Sequence, residues 1–125
     1  MLCDLVKNCV SASPIKACMR MTQGAFQRWE FILTDARGEA VDLTGQQVEF
    51  TIKDGPGGNV KYTHTNTPGD HADPTNGKTI FDIDHTAFSE STTDVLQWVF
   101  TVERIKATSE VLLHLTGQFI LDPVI

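Results

Sequence analysis

The sequence lacks runs of basic residues and has a clear excess of acidic ones. It contains 10 Lys and Arg against 16 Asp and Glu, which gives a formal net charge of −6. Binding to a nucleic-acid backbone depends on clustered Lys and Arg, and the basic residues of this chain are scattered. We therefore expect no nucleic-acid partner.

Long apolar runs are also absent. No stretch approaches the roughly 20 apolar residues that a helix needs to cross a bilayer. The opening "MLCDLVKNCV" is interrupted by Asp4, Lys7 and Asn8, so it does not have the continuous apolar centre of a signal peptide. We expect no membrane partner, and we expect the protein to be made in a reducing cytoplasm.

Cysteine is scarce and confined to one region. The three cysteines are Cys3, Cys9 and Cys18, an odd number at spacings that fit no zinc motif. In a reducing compartment free thiols are expected, and a disulfide or an inter-chain link is the alternative. Residues 1–23 also show no clear hydrophobic period, so we predict an irregular N-terminal arm that packs on the domain or on a neighbouring subunit.

What the sequence does have, from residue 24 onward, is an alternation of apolar and polar side chains, which is typical of half-buried strands. Turn signals separate these segments, and no long amphipathic helix lies between them. The pattern predicts an all-β fold over residues 24–125, an immunoglobulin-like sandwich of about seven antiparallel strands. The strongest segments place these residues on the core face: Trp29, Phe31 and Leu33; Val48, Phe50 and Ile52; Leu96, Trp98, Phe100 and Val102.

Weaker signals fill in the framework. "NVKYTHTN" is polar at its end and indicates a sheet edge, and residues 67–77 form the longest loop. "TAFSESTTD" predicts one short turn of helix, in which Phe88 closes the end of the core. Gly117 predicts a bulge in the last strand.

Groups that perform catalysis do not converge in the sequence. Asp70, His71 and Asp73 are close together and have the chemistry of a divalent-metal site, but no second set of ligands accompanies them, so we expect a solvated turn. Asp82 and Asp84 alternate outward. No serine lies in a nucleophile elbow and no cysteine neighbours a histidine. The sequence thus predicts no catalytic residues, no metal, no cofactor and no enzyme.

The framework motifs resemble a known family. The segments "FILTDARGEAVDLTGQQVEFTIKDGPGGNV", "DPTNGKTIFDID", "LQWVFTVER" and "LTGQFILDP" are similar to those of small immunoglobulin-like virion proteins of tailed bacteriophages, among them the N-terminal domain of baseplate upper proteins. The resemblance covers residues 24–123. Its motifs serve shape: Asp42 fixes a kink by accepting from backbone N–H groups, and Gly45 and Gly77 permit tight turns.

The resemblance implies a non-enzymatic virion structural protein that is made in the host cytoplasm. We expect a capsid decoration or cement protein that binds the major capsid protein, because no second module is visible and an arm suits a clamp. The alternative is a tail or baseplate adaptor. A carbohydrate-binding module that uses Tyr62 and residues 67–77 is less favoured, since the chain has one tyrosine.

Partner contacts are expected at the two ends of the chain. A stable contact buries about 800 Å² per partner, and a homo-oligomer or many copies on a symmetric lattice would let weaker contacts suffice through multivalency. The expected contact residues are apolar: Leu2, Leu5, Val6, Val10, Ile15, Val124 and Ile125.

Overall fold

The protein is almost entirely β-structure. The computed structural model describes residues 9–12, 15–35, 37–84, 87–88 and 94–123. Short 3₁₀ turns at Pro68–Asp70 and Pro74–Asn76 interrupt the connection between the fifth and sixth strands, and the prediction of an all-β fold is confirmed. The strands of the described residues are β1 (Cys9–Ala12), β2 (Ile15–Thr22), β3 (Gln27–Leu33), β4 (Gln47–Lys53), β5 (Val60–Asn66), β6 (Lys78–Ile83), β7 (Leu96–Ile105) and β8 (Val111–Asp122).

The strands form two sheets with immunoglobulin topology. One sheet has the order β1-β3-β6, and the other has the order β2-β8-β7-β4-β5. In the immunoglobulin sandwich, strands B and E are neighbours in one sheet, and strands C, F and G form the other. Here β3 and β6 take the places of B and E, while β4, β7 and β8 take those of C, F and G. β5 lies at the sheet edge, as its polar sequence indicates.

The core lies between the sheets and is rich in aromatic rings. The strands β3, β4, β6 and β7 each bury alternate residues, which confirms the core faces predicted from the period of two. Phe50 is at the centre, with edge-on ring contacts to Phe31, Phe81 and Phe100 at centroid distances of 5.4 to 6.0 Å. Phe88 is half-buried against this core. Residues 86 and 89–93 of the segment predicted to contain a helical turn lie outside the described residues.

The segment predicted as an irregular arm contains two strands. β1 pairs in parallel with β3, and β2 pairs in parallel with β8 over its whole length. The prediction of irregular structure is wrong for these two stretches, and the sandwich has eight described strands that are not all antiparallel. Met19 and Met21 are buried and alternate with exposed Arg20 and Thr22, a period that the flanking cysteines obscured. The boundary between residues 23 and 24 stays a prediction.

Cys18 is disulfide-bonded, so the prediction of free thiols is wrong for this residue. The chain has two other cysteines, Cys3 and Cys9, and both precede β2. Cys18 lies in β2, an edge strand of the five-stranded sheet.

The irregularity in β8 lies elsewhere than at Gly117. The register of β7 and β8 shifts between Val102 and Glu103, which pair with Leu115 and Leu113. Gly117 pairs regularly with Phe100, so the predicted bulge there is wrong.

Candidate functional site

Strand register divides the features of the molecule between two ends of the sandwich. At one end lie the starts of β3 and β7 and the ends of β4, β6 and β8, as shown by the pairs Gln27 with Ile83, Lys53 with Val99, and Leu96 with Leu121. At the opposite end lie residues 34–46, residues 67–77 and the β7–β8 turn. We call these the apolar end and the loop end.

The apolar end exposes several large apolar side chains to solvent. Among the described residues, four large apolar side chains are exposed, and three of them, Phe26 (58%), Val60 (53%) and Val95 (48%), lie at this end. The fourth, Val111 (51%), is at the loop end. Single exposed apolar residues are ordinary on protein surfaces, whereas a group of them marks a candidate contact surface.

The predicted contact residues divide between described and undescribed parts of the chain. Leu2, Leu5, Val6, Val124 and Ile125 lie outside the described residues. The backbone of Val10 is in β1, paired with Phe31, and that of Ile15 begins β2, paired with Leu115. Their partner contacts stay predictions. Pro123, which precedes Val124, follows the last residue of β8 at the apolar end.

At the loop end, Gly77 is the point where two long connections meet. Its carbonyl accepts from the backbone N–H of Leu33 at 2.9 Å, and its φ is +72°. A Cβ at this position would lie 2.5 Å from the carbonyl oxygen of Leu33 and 3.0 Å from that of Val41. Only glycine fits this backbone conformation and this close approach, so the tight turn predicted at Gly77 is confirmed.

His71 is part of a buried hydrogen-bond network. It is 8% exposed, so the prediction of a solvated turn is wrong for this residue. Nε2 lies 2.7 Å from the carbonyl oxygen of Gln46, and Nδ1 lies 2.9 Å from Thr79 Oγ1. Because a carbonyl can only accept, Nε2 carries a hydrogen. Thr79 Oγ1 also accepts from Asn66 Nδ2 at 2.8 Å. The imidazole thus ties residues 67–77 to β6 and to the residue before β4.

The carboxylates of the loop end also stabilise turns by accepting hydrogen bonds. Asp70 accepts from the backbone N–H and the hydroxyl of Thr67, and these bonds hold the pKa of Asp70 below its usual range. Asp42 accepts in the same way from Thr44, which likewise lowers the pKa of Asp42 and confirms its role in the kink. Asp73 accepts from Asn76 Nδ2 at 2.8 Å. Within the described ranges no three His, Cys, Asp or Glu side chains are placed to hold a metal ion.

The other residues discussed in the sequence analysis lie on the protein surface or in the core. Asp82 faces outward and is paired with Arg28 at 2.8 Å, and Asp84 is exposed. Trp29 and Trp98 are buried, with 1% and 5% exposure. None of the helices described is long and apolar enough to cross a bilayer.

Tyr62 is not an exposed platform. Its ring contacts Phe50 and Phe88, and burial raises the pKa of its hydroxyl. Tyr62 also lies five residues before the start of residues 67–77, a separation of about 17 Å along an extended strand. The structure therefore does not bring together the two parts of the carbohydrate-binding alternative.

Comparisons with known proteins give a likeness in fold. No family model and no curated protein matches the chain. Among solved structures, the "N-terminal domain of phage TP901-1 ORF48" is similar, with a TM-score of 0.55 and 12% sequence identity. The match covers 91% of this chain and 94% of that one. The resemblance to immunoglobulin-like domains of tailed phages is thus confirmed for the fold.

Proposed function

We propose that this chain is a non-enzymatic structural protein of a phage virion, where it acts as an adaptor in the tail or baseplate. The observation that carries the proposal is the likeness in fold to a domain of a phage protein, over 91% of this chain and 94% of that domain. The framework motifs in the sequence, which resemble those of baseplate upper proteins, support the same role.

The architecture suits an adaptor because it is a rigid block. The aromatic rings at the core contact one another edge-on, and such pairs add about 0.5–1.5 kcal/mol each beyond the burial of their area. At the loop end, the polar groups of Gln46, His71 and Thr79 are satisfied within the chain. A block of this kind holds its exposed surface in a fixed orientation.

The apolar end is the proposed docking surface for a neighbouring virion protein. Covering a Val or Phe side chain completely contributes roughly 1.5–3 kcal/mol, and Phe26 and Val95 are each about half exposed. Val124 and Ile125, which lie outside the described residues, remain proposed contacts. Repetition of one modest contact around a symmetric tail raises the overall strength of attachment through multivalency.

Head decoration, which the sequence analysis favoured, has weaker support. It relied on an arm that reaches a neighbouring subunit, whereas residues 9–12 and 15–22 pair within the two sheets of the sandwich. The resemblance to baseplate upper proteins favours the tail.

The location of the chain in purified particles tests the proposal. We expect electron cryomicroscopy of particles labelled at this protein to show density in a ring that matches the tail symmetry. Density on the shell lattice would instead support decoration and overturn the tail adaptor. Absence from purified particles would overturn the structural role altogether.

A further inference from the structure

The outer face of the five-stranded sheet carries a groove of about 660 Å³. Core residues of β4 and β7 point between the sheets, so their alternate residues point outward into this groove. We call this surface the threonine face, because its centre is a row of threonines, one from each of four adjacent strands: Thr63 of β5, Thr51 of β4, Thr101 of β7 and Thr116 of β8.

The row is regular and internally bonded. Thr51 is directly opposite both Thr63 and Thr101, and Thr101 is directly opposite Thr116. The hydroxyls of Thr51 and Thr63 lie 3.2 Å apart, and the Thr116 hydroxyl donates to the carbonyl oxygen of Phe100 at 3.1 Å. Short β-branched side chains in register make a flat, stiff floor.

Charges of opposite sign lie on the two sides of this row. Glu49 and Glu103 are directly opposite each other on β4 and β7, two residues from the row on one side. Lys53 lies two residues from the row on the other side and is opposite Val99. Like charges directly opposite each other in a sheet, as Glu49 and Glu103 are here, are destabilising. Among the described side chains, neither Glu49 nor Glu103 forms an ion pair, and neither does Lys53.

The Glu49 carboxylate is held in place by its neighbours. Its oxygens accept from the hydroxyl of Thr51 at 3.3 Å and from that of Thr65 at 3.1 Å. These bonds fix an acceptor on the threonine face without neutralising its charge. A positioned anion of this kind favours a cation that approaches from outside the chain.

We propose that two copies of this chain pair through their threonine faces about a two-fold axis that runs along the threonine row. Such an axis reverses the strand direction and turns the face over, so residues on one side of the row meet residues from the other side in the second copy. Glu49 of each copy then lies over Lys53 of the other, and Glu103 lies one strand away, about 4.8 Å to the side. The charges of Glu49 and Lys53 are thus complementary across the axis, as a two-fold interface requires, whereas Lys16, which pairs with Thr116 in β2, lies on the row itself.

The size of the face indicates a weak interface. Four strands about 4.8 Å apart, each seven residues long at about 3.4 Å per residue, give a footprint of roughly 450 Å². This is below the approximately 800 Å² per partner of a standard stable interface. We therefore expect reversible association in the micromolar range or weaker, with a dependence on salt because ion pairs contribute to it.

Sedimentation of the purified full-length chain tests the pairing independently of the proposed location in the virion. We expect a monomer–dimer equilibrium at concentrations from about 10 μM to about 1 mM, the range of interfaces this small. Lys53→Glu places like charges over each other and weakens dimerisation by at least roughly tenfold. Arg37→Glu is the matched control: it changes the net charge equally, in a side chain that is 78% exposed beyond the end of β3, and leaves dimerisation unchanged.

A charge exchange separates pairing from damage to the fold. Glu49→Lys alone weakens dimerisation, and the double variant Glu49→Lys with Lys53→Glu regains it, because each copy again presents opposite charges to the other. Thermal unfolding of each variant reports its folding. A chain that stays monomeric throughout the range, equal effects of Lys53→Glu and Arg37→Glu, or no recovery in the double variant would each overturn the proposal. So would a monomeric chain that binds polylysine at Glu49 and Glu103, since the face would then serve a basic partner.

Discussion

The two ends of the sandwich differ in whether their side chains find partners within the chain. At the loop end, polar groups that would otherwise be buried without partners are bonded within the chain, as in the network of His71, Thr79 and Gln46. At the apolar end, large apolar side chains such as Phe26 and Val95 remain in contact with water. The first arrangement stabilises the free protein, whereas the second gains stability when another surface covers it.

This difference separates folding from assembly. Changes at the loop end are expected to lower the free energy of unfolding, and changes at the apolar end are expected to alter attachment to a partner while the fold persists. Each variant below is compared with a control variant at a position where the account expects little effect.

The largest effect is expected at Gly77. Gly77→Ala combines a left-handed backbone with a Cβ that would lie 2.5 Å from the Leu33 carbonyl oxygen. The left-handed conformation alone costs about 1–2 kcal/mol in a residue with a Cβ, and the contact forces the connection to move, so we expect a total loss of about 3 kcal/mol or more. Urea denaturation measures the change.

Gly69→Ala is the control in the same connection, because a Cβ at Gly69 has nothing within 4 Å. Its effect is expected to stay within about 0.5 kcal/mol. Equal losses in the two variants would show that the close approach at Gly77 does not hold the loop end together.

A smaller loss is expected for His71→Ala. The change leaves the Gln46 carbonyl and the Thr79 hydroxyl without their partner in a buried site and opens a cavity, for a cost of about 2–3 kcal/mol in the free energy of unfolding. His64→Ala is the control, since His64 is an exposed residue of the edge strand whose loss removes one edge-on ring contact with Phe81, for a cost of about 1 kcal/mol. Thermal unfolding compares the two, and a loss at His71 no greater than at His64 would contradict the buried network.

The sequence predicted those strands whose own residues alternate between apolar and polar. β4 alternates strictly, and β3 and β7 alternate except for Ile32 and Val99 on their outer faces, so the core faces of all three follow from a period of two. β2 has the same period at Met19 and Met21, but its neighbours mask it. The parallel pairing of β2 with β8 joins residues about 100 positions apart, and no local pattern encodes such a pairing.

The site was less predictable because it arises from topology. His71 is surrounded in sequence by Gly69, Asp70 and Asp73, which indicate solvent, and its burial depends on Gln46 and Thr79 from other segments. Phe26, Val60 and Val95 are likewise far apart in sequence. They share one end because strand register brings the ends of both sheets together.

The smallest effect on stability, and the largest on assembly, is expected at the apolar end. Phe26→Ser and Val95→Ser remove side chains that are 58% and 48% exposed, so each loses only the contribution of the buried part and lowers the free energy of unfolding by about 1 kcal/mol. Val111→Ser is the matched control, because Val111 is 51% exposed at the loop end.

The most direct test of the account measures how much of each variant is built into particles. Wild-type and variant chains are expressed together during infection, and mass spectrometry of purified particles gives the ratio in which they are incorporated. The account predicts that Phe26→Ser and Val95→Ser are depleted from particles relative to Val111→Ser. Equal incorporation of all three, or depletion of Val111→Ser alone, would contradict docking through the apolar end.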